Sequence, residues 1–127
     1  MEGIEVNSDL SQLPPQVQER LLRFQQVQQT LQSVLAQKQQ VEAEIAEIDQ
    51  ALNELQKLPD GATVYKSAGS LFMKAEKPTL VTELTERKEL LNTRVSILRK
   101  QEERLRVQAK DLQTRIEQDL KPVSPPP

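Results

Sequence analysis

Cysteine, histidine and tryptophan are all missing from this chain of 127 residues. Without cysteine there is no disulfide framework, zinc–thiolate site or thiol nucleophile. Without histidine, the commonest general base and metal ligand is gone as well. Glycine is scarce, at positions 3, 61 and 69 only, so no glycine-rich loop is available to cradle a phosphate. Carboxylates are plentiful, but they fall at the spacing of ordinary i,i+4 helix pairs, such as Glu83 with Arg87. An enzymatic role has no residues to carry it, and neither cofactor nor metal is expected.

Aromatic residues make up 2% of the chain and hydrophobic residues 36%, too little for a globular core of ordinary thickness. Charge of one sign is not in excess: 17 basic and 19 acidic residues are mixed along the chain, for a net charge of −2. Nucleic-acid binding needs a basic patch or stripe. Arg94, Arg99, Lys100, Arg104 and Arg106 come nearest to one, but Glu102 and Glu103 interrupt them. No apolar run approaches the length that crosses a bilayer. The first residues, MEGIEVNSDLSQLPPQ, lack the charged-then-apolar order of a secretory signal. Neither nucleic acid nor membrane is an expected partner, and a cytoplasmic location is the expectation.

What the chain does have is periodicity. Prolines at 14, 15, 59, 78, 122, 125, 126 and 127 leave residues 16–58 and 79–121 free of both proline and glycine, the strongest structural punctuation. These marks divide one domain, residues 1–127, into a tail (1–13), a first helix (14–58), a hairpin (62–75), a second helix (79–121) and a Pro-rich tail (122–127). The last reads PVSPPP, either a plain helix stop or a short polyproline docking segment.

In the first helix Val27, Leu31, Val34, Val41, Ile45, Ile48, Leu52 and Leu55 follow a four-three rhythm, with Lys38 filling one slot. Val17, Leu21 and Phe24 keep the rhythm one residue out of phase. In the second, Leu84, Leu91, Leu98, Leu105 and Leu112 recur every seven residues, beside Val81, Lys88, Val95, Glu102, Ala109 and Ile116. Sustained heptads of this kind predict a coiled coil rather than disorder. Two arms of equal length, each about 60–65 Å at 1.5 Å per residue, joined by a short middle, predict an antiparallel pair. Folding back puts Lys38 and Glu102 within about one layer of each other. There they pair or lie close, or each snorkels to solvent.

The middle stretch, GATVYKSAGSLFMKAE at 61–76, reads as a β-hairpin. A three-residue loop Ser67–Ala68–Gly69 with a left-handed glycine would pair Val64 with Phe72 on one face and Tyr65 with Leu71 on the other. Both faces are then apolar. A lone two-stranded hairpin is marginal in water, and its edges invite pairing with another chain. Hairpins from several chains would join into a sheet or barrel, with Val64, Tyr65, Leu71, Phe72 and Met73 as interface residues. The competing reading is a hairpin packed locally on its own helix ends.

Apolar residues also gather where the two arms would end. Leu13, Val17, Leu21, Leu22 and Phe24, with Leu10 and Val27, would meet Leu112, Ile116, Leu120 and Val123 at the distal tip. They cover more of the helix circumference than a two-helix seam needs. Apolar surface beyond that need marks an interaction site, or else it finishes the local seam.

The stretches LPPQVQERL at 13–21, QKQQVEAEIAEI at 37–48, ALNELQKLP at 51–59, TVYKSAGSLFMK at 63–74 and RKQEERLR at 99–106 resemble the β-type subunits of prefoldin, over roughly residues 13–121. The joint LPDGATVYK…G…L…K between equal helical arms is the most specific of these. One departure is Ala68, where the family places a larger β-branched residue. The α-type subunits carry two hairpins, and residues 60–78 have room for one. The resemblance implies an all-α-dominated fold, a long antiparallel two-helix coiled coil with one hairpin between the helices. It also implies a hetero-hexamer of two α-type with four β-type chains, their hairpins building a β-barrel platform. Such a complex is an ATP-independent chaperone that holds non-native polypeptides at its coiled-coil tips and passes them to a group II chaperonin. The alternative is a tethering coiled coil that binds no client.

Overall fold

The computed structural model describes residues 12–121. Four elements follow in chain order: α1 (Pro15–Gln56), β1 (Thr63–Ala68), β2 (Leu71–Glu76) and α2 (Lys77–Leu120). Helix α1 starts where proline permits. Pro14 accepts the first intrahelical bonds from the Val17 and Gln18 amides at 3.0 and 3.1 Å. Pro15 takes the first helical position, where its missing N–H costs nothing. Gln18 Nε2 also donates to the Leu13 carbonyl at 2.7 Å, anchoring the chain just ahead of the helix.

The other end of α1 tightens into i→i−3 bonds, Lys57 to Glu54 and Leu58 to Leu55, and Ala62 N–H to Pro59 C=O at 3.0 Å closes a turn. Carbonyls at such an end lack helical partners. One is met from a distance: Lys77 Nζ donates to the Leu58 carbonyl at 2.6 Å and lies 3.3 Å from Asp60. Strand β2 runs straight into α2, which begins two residues before Thr79, where the sequence places its start; Pro78 is again in the first helical turn.

The described chain forms two compact units. One comprises Ala36–Arg99, the other the stretches up to Leu35 and from Lys100 onward. In the first, Glu42 pairs with Arg99, Glu44 with Arg87 at 2.8 Å and Asp49 with Lys88. Advancing along α1 retreats along α2, so the helices are antiparallel. Val41, Ile48 and Leu55 of α1 are buried with Leu80, Leu91, Val95 and Leu98 of α2. In the second unit Val17, Val27, Leu31 and Val34 are buried together with Ala109 and Ile116, and Arg20 pairs with Asp119 across the two helices.

The hairpin joins strands of six residues each, with Val64 opposite Ala75, Tyr65 opposite Lys74, Lys66 opposite Met73, Ser67 opposite Phe72 and Ala68 opposite Leu71. This differs from the expected register. Gly69, at φ +61°, is the one residue of positive φ among those described, and it opens a two-residue Gly69–Ser70 turn, the type II′ pattern. Either turn uses a left-handed glycine, so the glycine alone does not choose between them. The shorter loop lengthens the ladder to six pairs and brings Val64 and Ala75 together beside the helix ends. There Val64, Leu55 and Leu80 form a small core, with Ala75, Val81 and Leu84 packed against it.

Candidate assembly and capture surfaces

Residues directly opposite in an antiparallel pair point to the same face, and alternate residues to opposite faces. The observed register therefore puts Val64, Lys66, Met73, Leu71 and Ala75 on one face of the hairpin, and Tyr65, Lys74, Ser67 and Phe72 on the other. Both faces are apolar, as expected, but their membership changes. Tyr65 now shares a face with Phe72, and Leu71 with Val64. An odd shift in register flips one strand relative to its neighbour.

The faces also differ in what covers them. Val64 is only 8% exposed, and Ala75 beside it is half-buried. Val64 is thus taken up inside the chain, packed with Leu55 and Leu80. Farther out no described residue covers Tyr65, Leu71, Phe72 or Met73, which are 63%, 66%, 78% and 49% exposed. Local packing accounts for the root of the hairpin and leaves its outer part bare. Lys66 reaches back to Glu83 at 3.4 Å, an exposed pair that contributes little.

At the end where α1 begins and α2 finishes, the eight candidate residues separate by depth. Val17 and Ile116 are buried, 6% and 7% exposed. They lie in the seam between the paired helices. Leu13, Leu21, Phe24 and Leu112 are half-buried. Leu22 and Leu120 are open, Leu22 being 54% exposed. Leu10 and Val123 lie outside the described residues.

Sequence reasoning missed three exposed apolar residues of α2, namely Leu90, Ile97 and Val107. Leu90 and Ile97 immediately precede the seam residues Leu91 and Leu98 and so repeat at the same seven-residue spacing, a signal available in the heptads themselves. It also missed Leu80, which the seam count passed over because it lies one place before Val81. Among the seam's polar members, Lys38, Lys88 and Glu102 are all half-buried. Lys88 pairs with Asp49, and Glu102 accepts from Arg106 Nε at 2.9 Å.

Two long antiparallel helices, joined by a single two-stranded hairpin and carrying bare apolar side chains on that hairpin, define a hairpin-linked coiled-coil protein. Comparison with known proteins narrows the class. The family model described as "Prefoldin subunit" matches residues 18–122. The chain is 44% identical over 114 residues to the prefoldin subunit beta of Methanothrix thermoacetophila, covering 90% of this chain and 95% of that one. It is 45% identical over 112 residues to that of Methanosarcina acetivorans, covering 88% and 96%. The crystal structure of the prefoldin beta subunit from Thermococcus strain KS-1 superimposes with a TM-score of 0.80 at 42% identity, over 87% of this chain and 97% of that one. The chain belongs to the prefoldin subunit family. Membership implies a chaperone function exercised in a complex with other subunits.

Proposed function

We propose that the chain is a β-type subunit of a cytoplasmic prefoldin hexamer, four such chains with two α-type, acting as an ATP-independent holdase. The hairpins assemble the platform through Tyr65, Leu71, Phe72 and Met73. The helix ends capture non-native polypeptides and pass them to a group II chaperonin. One observation carries this reading. Among the described residues, the buried ones are confined to the helix seams and the small core around Val64, while the largest apolar side chains of the hairpin, together with Leu22 of α1, stand in solvent. A deep pocket is not required, because several weak apolar grips on one client raise each other's effective concentration.

The test is light scattering from a denatured client diluted into buffer with the hexamer, reconstituted with an α-type subunit. Full-length chains are compared with Leu22→Ser/Leu120→Ser chains. Both positions are exposed, so the variant hexamer should form normally by sedimentation. Aggregation suppressed by the full-length hexamer, and suppressed less by the variant, supports capture at the helix ends. Equal suppression by both refutes that site. No suppression by either leaves an assembly scaffold and refutes the holdase reading.

A further inference from the structure

Helix α2 carries a second stripe of heptad spacing beside its seam. Glu83, Leu90, Ile97 and Arg104 lie seven residues apart on one unbroken helix and so share a face. All four are exposed, Leu90 and Ile97 by 62% and 53%. The seam toward α1 is filled by Leu91, Val95 and Leu98, so this stripe turns outward.

Its charges are ordered. An acid stands at the N-terminal end and a base at the C-terminal end, with the two apolar side chains between them. Glu83 has the exposed pair with Lys66 at 3.4 Å. Arg104 has no acid three or four positions away along α2 and forms no ion pair among the described residues. One flank of the stripe repeats the order with Glu86, Thr93 and Lys100, and Arg94 lies on the other flank.

A helix with this pattern is complementary to its own reversed copy. Set antiparallel about a two-fold axis beside Thr93, Leu90 of each copy meets Ile97 of the other, Glu83 meets Arg104, and Glu86 meets Lys100. Two-fold symmetry makes every such contact twice. Set parallel, like residues meet, and all four of those charges face their own sign, which is destabilising. A polypeptide without this order of charges gains the apolar contact alone. The charges therefore select both the occupant and its direction.

We propose that this stripe is a second interface, on which another copy of the chain docks with its α2 antiparallel. Two apolar side chains from each copy make a small contact, of the weak and transient kind. It requires neither the hairpin nor a client, so its failure and the failure of the holdase reading are separate results.

The chain has no cysteine, so single introduced thiols report the contact in the full-length protein under mild oxidation. Thr93→Cys sits at the two-fold axis and should form a disulfide-linked dimer. Glu86→Cys and Lys100→Cys should each link to themselves at least roughly tenfold more slowly, because like residues there lie about 21 Å apart, beyond disulfide reach. Mixed together, those two should link to each other. Glu83→Arg added to Thr93→Cys should slow linkage roughly tenfold, since symmetry counts the reversal twice. Glu83→Arg/Arg104→Glu should restore it. Arg94 meets its own copy across the axis, so Arg94→Gln should speed linkage. Fast self-linkage at position 86 or 100 would make the contact parallel and overturn the proposal. Slow and equal linkage at all three positions, or indifference to Glu83→Arg, overturns it as well and leaves Leu90 and Ile97 to client segments or another partner.

Discussion

Three residues, two at the junction of helices and hairpin and one in the hairpin turn, show how single positions shape the candidate assembly surface. Lys77 is the most local. Its side chain is 14% exposed and its ammonium caps the Leu58 carbonyl at the C-terminal end of α1, where the helix dipole favours a cation. Asp60 is 89% exposed and adds little. Lys77→Met keeps the stem and removes the charge, and should cost about 1–2 kcal/mol, read as a lower midpoint in chemical denaturation. Gly69 acts through backbone: at φ +61° a β-branched residue is strained whatever room surrounds it. With nothing within 4 Å of an added Cβ, Gly69→Val should still destabilise the hairpin by about 1–3 kcal/mol. Loss of strand amide protection with helical protection retained would be the sign. Val64, the third, is a core residue, and Val64→Ala should lower stability by about 1–3 kcal/mol.

At the scale of elements, the helices were far more legible in the sequence than the hairpin. Every apolar heptad position inferred between Val27 and Leu55, and between Val81 and Ile116, is buried or half-buried. The reason is redundancy: many repeats of one period vote for a single face, so one polar intruder such as Lys38 or Glu102 cannot shift it. The hairpin offers no such repetition. Its register hung on the loop length, two turns were compatible with Gly69, and the deciding contact, Val64 with Leu55 and Leu80, joins three separate elements. At the helix ends the sequence showed an excess of apolar residues but not their depth, since Val17 and Leu22 differ only in which side of α1 they occupy. The seam itself makes a quantitative claim. Leu98 is 5% exposed, and Leu98→Ala should cost about 2–3 kcal/mol, at the lower end for buried leucines because two helices can partly close the gap. Thermal denaturation followed at 222 nm would measure it.

For the whole molecule, the hairpin's division into a packed root and a bare outer part separates stability from assembly, and substitutions should separate them too. Tyr65 and Phe72 share a face and are 63% and 78% exposed, so the isolated chain gives up almost no buried contact when they change. Tyr65→Glu/Phe72→Glu should leave helix content and the melting midpoint of the isolated subunit unchanged. In a hexamer the same side chains would be buried against neighbouring hairpins, and two unpaired carboxylates placed there carry a desolvation cost of several kcal/mol each. Sedimentation velocity with the α-type partner should then show the hexamer replaced by smaller species. Val64→Ala should do the reverse, lowering the subunit's midpoint while the chains that remain folded still assemble. If the double glutamate variant assembled normally, the bare outer hairpin would not be the assembly surface, and some other exposed apolar stretch, such as Leu90 with Ile97 on α2, would have to take that part. If Val64→Ala abolished assembly without lowering the midpoint, Val64 would belong to the intermolecular surface after all. The two variants thus test the boundary between root and outer part from both sides.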